Sequence, residues 1–85
     1  MNNGNYSTTE TSLATYLIQE GFVLSEIQYE TKTNGKKRAI FIFEHSPHIV
    51  KQAEDIYYRG DATINLLKYE HIRSNLLDRV KRELP

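Results

Sequence analysis

Residues 22–44 read FVLSEIQYETKTNGKKRAIFIFE, and the change of side-chain period within this stretch decides the fold. From Phe22 the side chains alternate, with Val23, Ser25, Ile27 and Tyr29 on one face and Phe22, Leu24, Glu26 and Gln28 on the other. That is the two-residue repeat of a β-strand. Asn34-Gly35 lies within the polar stretch Thr31–Lys36, and this pair tolerates the positive φ angles of a type I′ hairpin turn. The return strand runs from Lys37 to Glu44 and is rich in β-branched and aromatic residues. Its centre, Ala39–Phe43, is apolar on both faces, so one face is expected to pack on helices and the other to meet a further element or a second subunit.

On the N-terminal side, Ser7 and Glu10 have the spacing of a capping box. Leu13, Tyr16, Leu17 and Glu20 follow at helical spacing and Gly21 suits the left-handed stop, so a helix is predicted over 10–20. On the C-terminal side, Ser46-Pro47 opens a second helix whose buried stripe is Ile49 or Val50, Ala53, Ile56 and Tyr57, and Arg59-Gly60 closes it. Asp61–Asn65 is a candidate third, short edge strand. Asn65 caps a last helix in which Tyr69, Ile72, Leu76, Val80 and Leu84 recur three and four residues apart. The reading is an α+β domain in the order α-β-β-α-(β)-α, with residues 1–9 a flexible N-terminal tail and 10–85 a single domain.

The 85 residues allow one core, and a chain this short buries a modest share of its surface, which favours a compact core or help from a partner. There is no cysteine, so no disulfide or zinc-finger staple contributes, in keeping with a reducing compartment. The polar start MNNGNYSTT has neither part of a secretory signal, and the longest apolar run is Ala39–Phe43, too short for a membrane span. A cytoplasmic protein with no membrane contact is the expectation. Formal net charge is zero, but residues 1–35 hold four acids against one base, and residues 36–85 hold ten bases against seven acids. That imbalance permits one basic surface without the excess of an autonomous nucleic-acid binder.

Groups suited to catalysis are few. His45 and His48 flank the Ser46-Pro47 cap and His71 lies in the last helix; with Glu44 or Asp55 they lack the spacing of known metal sites. Glu44, Glu54 and Asp55 read as solvent-facing carboxylates. No nucleophile elbow and no phosphate-binding glycine loop is present, so no catalytic residue, metal, cofactor or small-molecule ligand is assigned and the chain is read as non-enzymatic. Two surfaces remain. Lys32, Lys36, Lys37 and Arg38 gather at the hairpin and can join Arg73, Arg79 and Arg82 of the last helix against the phosphates of DNA or RNA. Tyr29, Phe41, Phe43 and Tyr58 are the candidates for a contact with a second copy or a larger protein.

Taken in order, LATYLIQEGFVLSEIQ (13–28), a variable turn, AIFIFEHSP (39–47), a helix ending YYRGDATIN (57–65) and a basic amphipathic helix resemble the DUF5659 family of small bacterial and phage domains. The resemblance covers about residues 11–84. Tyr16, Leu17, Gly21, Phe22, Phe41, Phe43, Glu44, Tyr57, Tyr58, Gly60 and Ala62 carry it, and they are mainly structural. It implies a home in phages, plasmids or other mobile elements, and it transfers no activity to particular residues. Residues and resemblance together point to a nucleic-acid-associated accessory protein acting through the basic hairpin. A protein-interaction module is the alternative.

Overall fold

The computed structural model describes residues 5–84, in the order β1 (Tyr6–Thr8), α1 (Thr11–Gln19), β2 (Leu24–Thr31), β3 (Lys37–Phe43), α2 (Pro47–Arg59) and α3 (Leu66–Glu83). The fold is α+β, with three helices and a three-stranded antiparallel sheet of order β1-β3-β2. β3 is central because its inward residues are the largest apolar ones of the hairpin. Phe41 is 1% exposed and Phe43 0%, and both lie under α1. α1 is enclosed on all sides, with Leu13 through Leu17 buried in succession, as expected of a helix wedged between a sheet and two further helices. Thr15 is the buried polar member of that run, and its hydroxyl donates to the Thr11 carbonyl at 2.7 Å.

The third strand comes from an unexpected place. Tyr6–Thr8, read from sequence as part of a flexible tail, pairs with β3 in the register Tyr6↔Phe43 and Thr8↔Phe41, and Tyr6 is buried against Phe43. Residues 1–4 of the expected tail lie outside the described residues. Asp61–Asn65, the candidate edge strand, is an irregular connection. Its polar backbone is met by one side chain, since Gln19 donates to the Thr63 carbonyl at 3.3 Å and accepts from the Asn65 N–H at 3.1 Å.

Local chemistry also departs from expectation at three points. The capping box does not form, because Ser7 is in β1; Thr8 Oγ1 accepts the Glu10 N–H instead, at 3.2 Å. The hairpin turn is not type I′, since no non-glycine residue has positive φ. Thr33-Asn34-Gly35 make a three-residue loop: the Gly35 N–H donates to Lys32 O at 2.9 Å, and Gly35 takes the left-handed conformation (φ 85°). A bulge between Leu24 and Glu26 breaks the strict alternation of β2 and turns Leu24 inward, opposite Phe43 and on the same face as Ile27, leaving Val23 exposed.

The caps read from sequence for α2 and for the start of α3 are present. Ser46 accepts the His48 N–H, Gly60 closes α2 at φ 84° with the Asp61 N–H reaching back to Ile56 O, and Asn65 Oδ1 accepts the Lys68 N–H. Among the described residues no helix is long and apolar enough to cross a membrane.

If β1 holds the sheet edge as described, Tyr6→Ala destabilises the protein by about 3 kcal/mol, the usual cost of emptying an aromatic site. Tyr6→Phe, which loses the 2.7 Å hydrogen bond to Glu54, costs about 1 kcal/mol. Urea unfolding measures both; an unchanged midpoint for Tyr6→Ala would mean a tail after all.

Candidate functional site

The hairpin places its cations on two faces. Lys37 shares the inner side of β3 with Ala39 and Phe41, whereas Arg38 shares the outer side with Ile40 and Ile42, because neighbours on a strand point opposite ways. Arg38 is also paired: its Nε donates to Glu30 Oε2 at 2.7 Å across the ladder, and its Nη2 engages the same oxygen. Lys32, Lys36 and Lys37 are exposed, and among the described residues no carboxylate pairs with them. The loop thus offers three unpaired cations.

The arginines of α3 do not form one face. Arg73 and Arg82 are nine residues apart, about two and a half turns, and so project from opposite sides of the helix. Arg79 and Arg82 are near one another in rotation, but Arg79 is held by Glu83 at 2.8 Å. Glu83 also accepts from Tyr29 at 2.9 Å, tying the end of α3 to β2. The Arg79 and Tyr29 hydrogen bonds hold the Glu83 carboxyl below its ordinary range.

The four residues assigned to a protein contact separate in the same way. Phe41 and Phe43 are interior and hold the fold together, so they cannot form a contact surface. Tyr29 is half-buried, its hydroxyl spent on Glu83. Tyr58 alone is open, 57% exposed. Its ring stands edge-on to Tyr57 at 5.2 Å and its hydroxyl donates to Glu10, at the start of α1. The outer face of β3 presents Ile40 and Ile42, both half-buried.

Tyrosine hydroxyls cluster around that same end of α1. Tyr69 donates to the Ser12 carbonyl at 3.4 Å, and Tyr6 donates to Glu54, beside Tyr58. Tyr16, Tyr57 and Tyr69 line, with Gly60, Ala62 and Ile64, an open notch of about 280 Å³, the size for a side chain rather than a metabolite. The hydrogen bond to the Glu10 carboxylate, with burial second, pushes the Tyr58 phenol up to about 12. Burial, and then Glu54, raise Tyr6 above the ordinary phenol range, and burial followed by Glu83 does the same for Tyr29.

His45 and the acids have structural employment. His45 Nε2 accepts the Val23 N–H at 2.9 Å and its ring meets Phe22 edge-on at 5.0 Å, which anchors the start of β2. Glu44 accepts from Ser25, Glu54 from Tyr6 and Asp55 from Lys51. Among the described residues no three His, Asp or Glu side chains form a group that could hold a metal ion.

The model of the domain of unknown function DUF5659 matches residues 3–83, nearly the whole chain. The chain belongs to the DUF5659 family. No curated protein and no solved structure matches it. The residues by which the chain resembles this family lie where packing and turns require them: Phe41 and Phe43 in the core, Gly21 and Gly60 at helix ends with positive φ. The match therefore speaks for the fold, and the surface has to be read on its own.

That surface holds residues the sequence reading passed over. Ile64, Leu66, Leu67 and Leu77 are all exposed, Leu66 at 62% and Leu67 at 80%. Leu66 and Leu77 sit on the flank of α3, outside the stripe of Tyr69, Leu76 and Val80 that faces the core. The signal was present as leucines at 66, 67 and 77 that fall outside the spacing of the buried stripe, eclipsed by that stronger pattern.

The raised phenols carry a pH signature. Above pH 10 the unfolded chain releases tyrosine protons that the folded chain keeps, so the unfolded state binds fewer protons and stability falls as pH rises from about 10 towards 12. Denaturation midpoints measured at pH 8 and pH 11 check the sign. In ultraviolet titration, the difference between the parent and Tyr58→Phe should place Tyr58 near pH 12, and Glu10→Gln should return it towards 10. A Tyr58 already titrating near 10 in the parent would contradict the Glu10 bond.

Proposed function

We propose that this DUF5659 chain is a non-catalytic protein-interaction module that binds a helical surface along the flank of α3. The observation that carries the reading is the group of exposed leucines and isoleucine at the start of α3. Singly scattered apolar residues are ordinary on a surface, but adjacent ones beside a side-chain-sized notch mark a place where another protein covers them. Tyr58, exposed and packed edge-on to Tyr57 of the notch, is suited to the rim of such a contact. A cytoplasmic setting in a phage or other mobile element belongs to the same proposal.

Site-specific photo-cross-linking in producing cells tests it. A photoreactive residue in place of Leu66, 62% exposed, is expected to yield protein adducts, while one in place of Lys51, on the exposed face of α2, yields none. No adduct from position 66, or equal adducts from both, would overturn the module.

A second reading, a contact with DNA or RNA, is favoured by one observation: Lys32, Lys36 and Lys37 stand unpaired around the hairpin loop. With Arg38 and Arg79 neutralised by acids and Arg73 turned away from Arg82, about three phosphate contacts are available. The affinity for short oligonucleotides should then fall with a log–log salt slope no steeper than roughly −3, and Lys36→Glu/Lys37→Glu should abolish binding. Undetectable binding at low salt would remove this reading.

A further inference from the structure

Leu66, Glu70, Arg73 and Leu77 follow one another at spacings of four, three and four, the seam spacing of paired helices, and all four are exposed. On a helix of 3.6 residues per turn they fall within about 60° of one another. Among the described residues neither Glu70 nor Arg73 has an ion-pair partner in the chain. Leu66, Tyr69, Glu70 and Arg73 also border, with Ile64 and Ser74, a groove of about 400 Å³. Four residues at i, i+3, i+4 and i+7 form the hole into which a facing helix inserts a side chain.

The order leucine, acid, base, leucine is self-complementary under a two-fold rotation. With the axis between His71 and Ile72, two copies of α3 laid antiparallel set Leu66 against the partner's Leu77 and Glu70 against the partner's Arg73, each contact occurring twice. A parallel arrangement would set Glu70 against Glu70 and Arg73 against Arg73. A uniformly acidic or basic partner would leave one of the two charges opposed to its own sign.

We infer that the surface covering this flank is α3 of a second copy of the chain, antiparallel and in this register. The inference rests on the interaction-module reading and names its partner. The seam from Leu66 to Leu77 spans about 17 Å of helix, which places the contact at the small end of specific interfaces and the dissociation constant in the micromolar range.

Sedimentation equilibrium on the full chain, from low to high micromolar, should show a monomer–dimer equilibrium. Glu70→Arg and Arg73→Glu, each alone, put like charges face to face and should raise the dissociation constant at least about tenfold; the double exchange should restore it. That restoration, with unchanged circular dichroism, separates the contact from misfolding. Because the chain lacks cysteine, Leu66→Cys/Leu77→Cys can be probed with a short bis-maleimide: the double variant should link into dimers and neither single variant should.

A dimer indifferent to the charge exchanges, or single-cysteine variants that link to themselves, would overturn the inference. A chain monomeric at the highest concentration whose position 66 still cross-links to a different protein would overturn self-pairing and leave the module standing. A monomer with no cross-link at all would overturn both.

Discussion

The structure depends on the burial of Phe41 and Phe43 beneath α1. These rings are the bulkiest groups that the chain removes fully from water. Because side chains alternate along β3, placing the two rings inward sends Ile40, Ile42 and Arg38 outward and sets the register of both neighbouring strands. β2 meets this demand only by a bulge, since unbroken alternation would put Leu24 and Ile27 on opposite faces. β1 meets it with three residues, enough to bring Tyr6 over Phe43. α1 must then be apolar or internally satisfied on every side, and Leu13–Leu17 is both.

The same alternation governs the electrostatics. Four cations close together in sequence become separate surfaces once neighbours point opposite ways and Arg38 finds Glu30 across the ladder. Exposed pairs of this kind contribute little to stability, but they cancel charge that would otherwise be available to an anionic partner. Of the four hairpin cations, the three lysines are what remains.

Much of the architecture was legible because it rests on local rules. The hairpin, the Ser46-Pro47 start, the Gly60 stop and the core stripe of α3 each follow from a few adjacent residues, and each is present. What escaped notice depends on groups distant in the chain. Tyr6-Ser7-Thr8 has no strand signal of its own and becomes one only because β3 offers an unpaired edge. Asp61–Asn65 does not, because Gln19, more than forty residues away, serves its backbone. Asn34-Gly35 announced a tight turn correctly but not its length, since the type I′ turn and the three-residue loop both want glycine at positive φ. At the candidate site, proximity in sequence overstated the basic patch, and apolarity suggested Phe41 and Phe43 as contacts when burial claims them. Tyr58, the loop lysines, Arg73 and Arg82 keep the accessibility expected of them, and of the cations only the lysines stay together.

α3 carries two patterns that make different demands. The stripe of Tyr69, Leu76 and Val80 joins the helix to α1, and the seam a quarter turn away answers to nothing within the described chain. An oppositely charged pair amid leucines would be a poor choice for stability alone, since desolvating charges is costly; its value is in register, because only one antiparallel alignment satisfies all four charges.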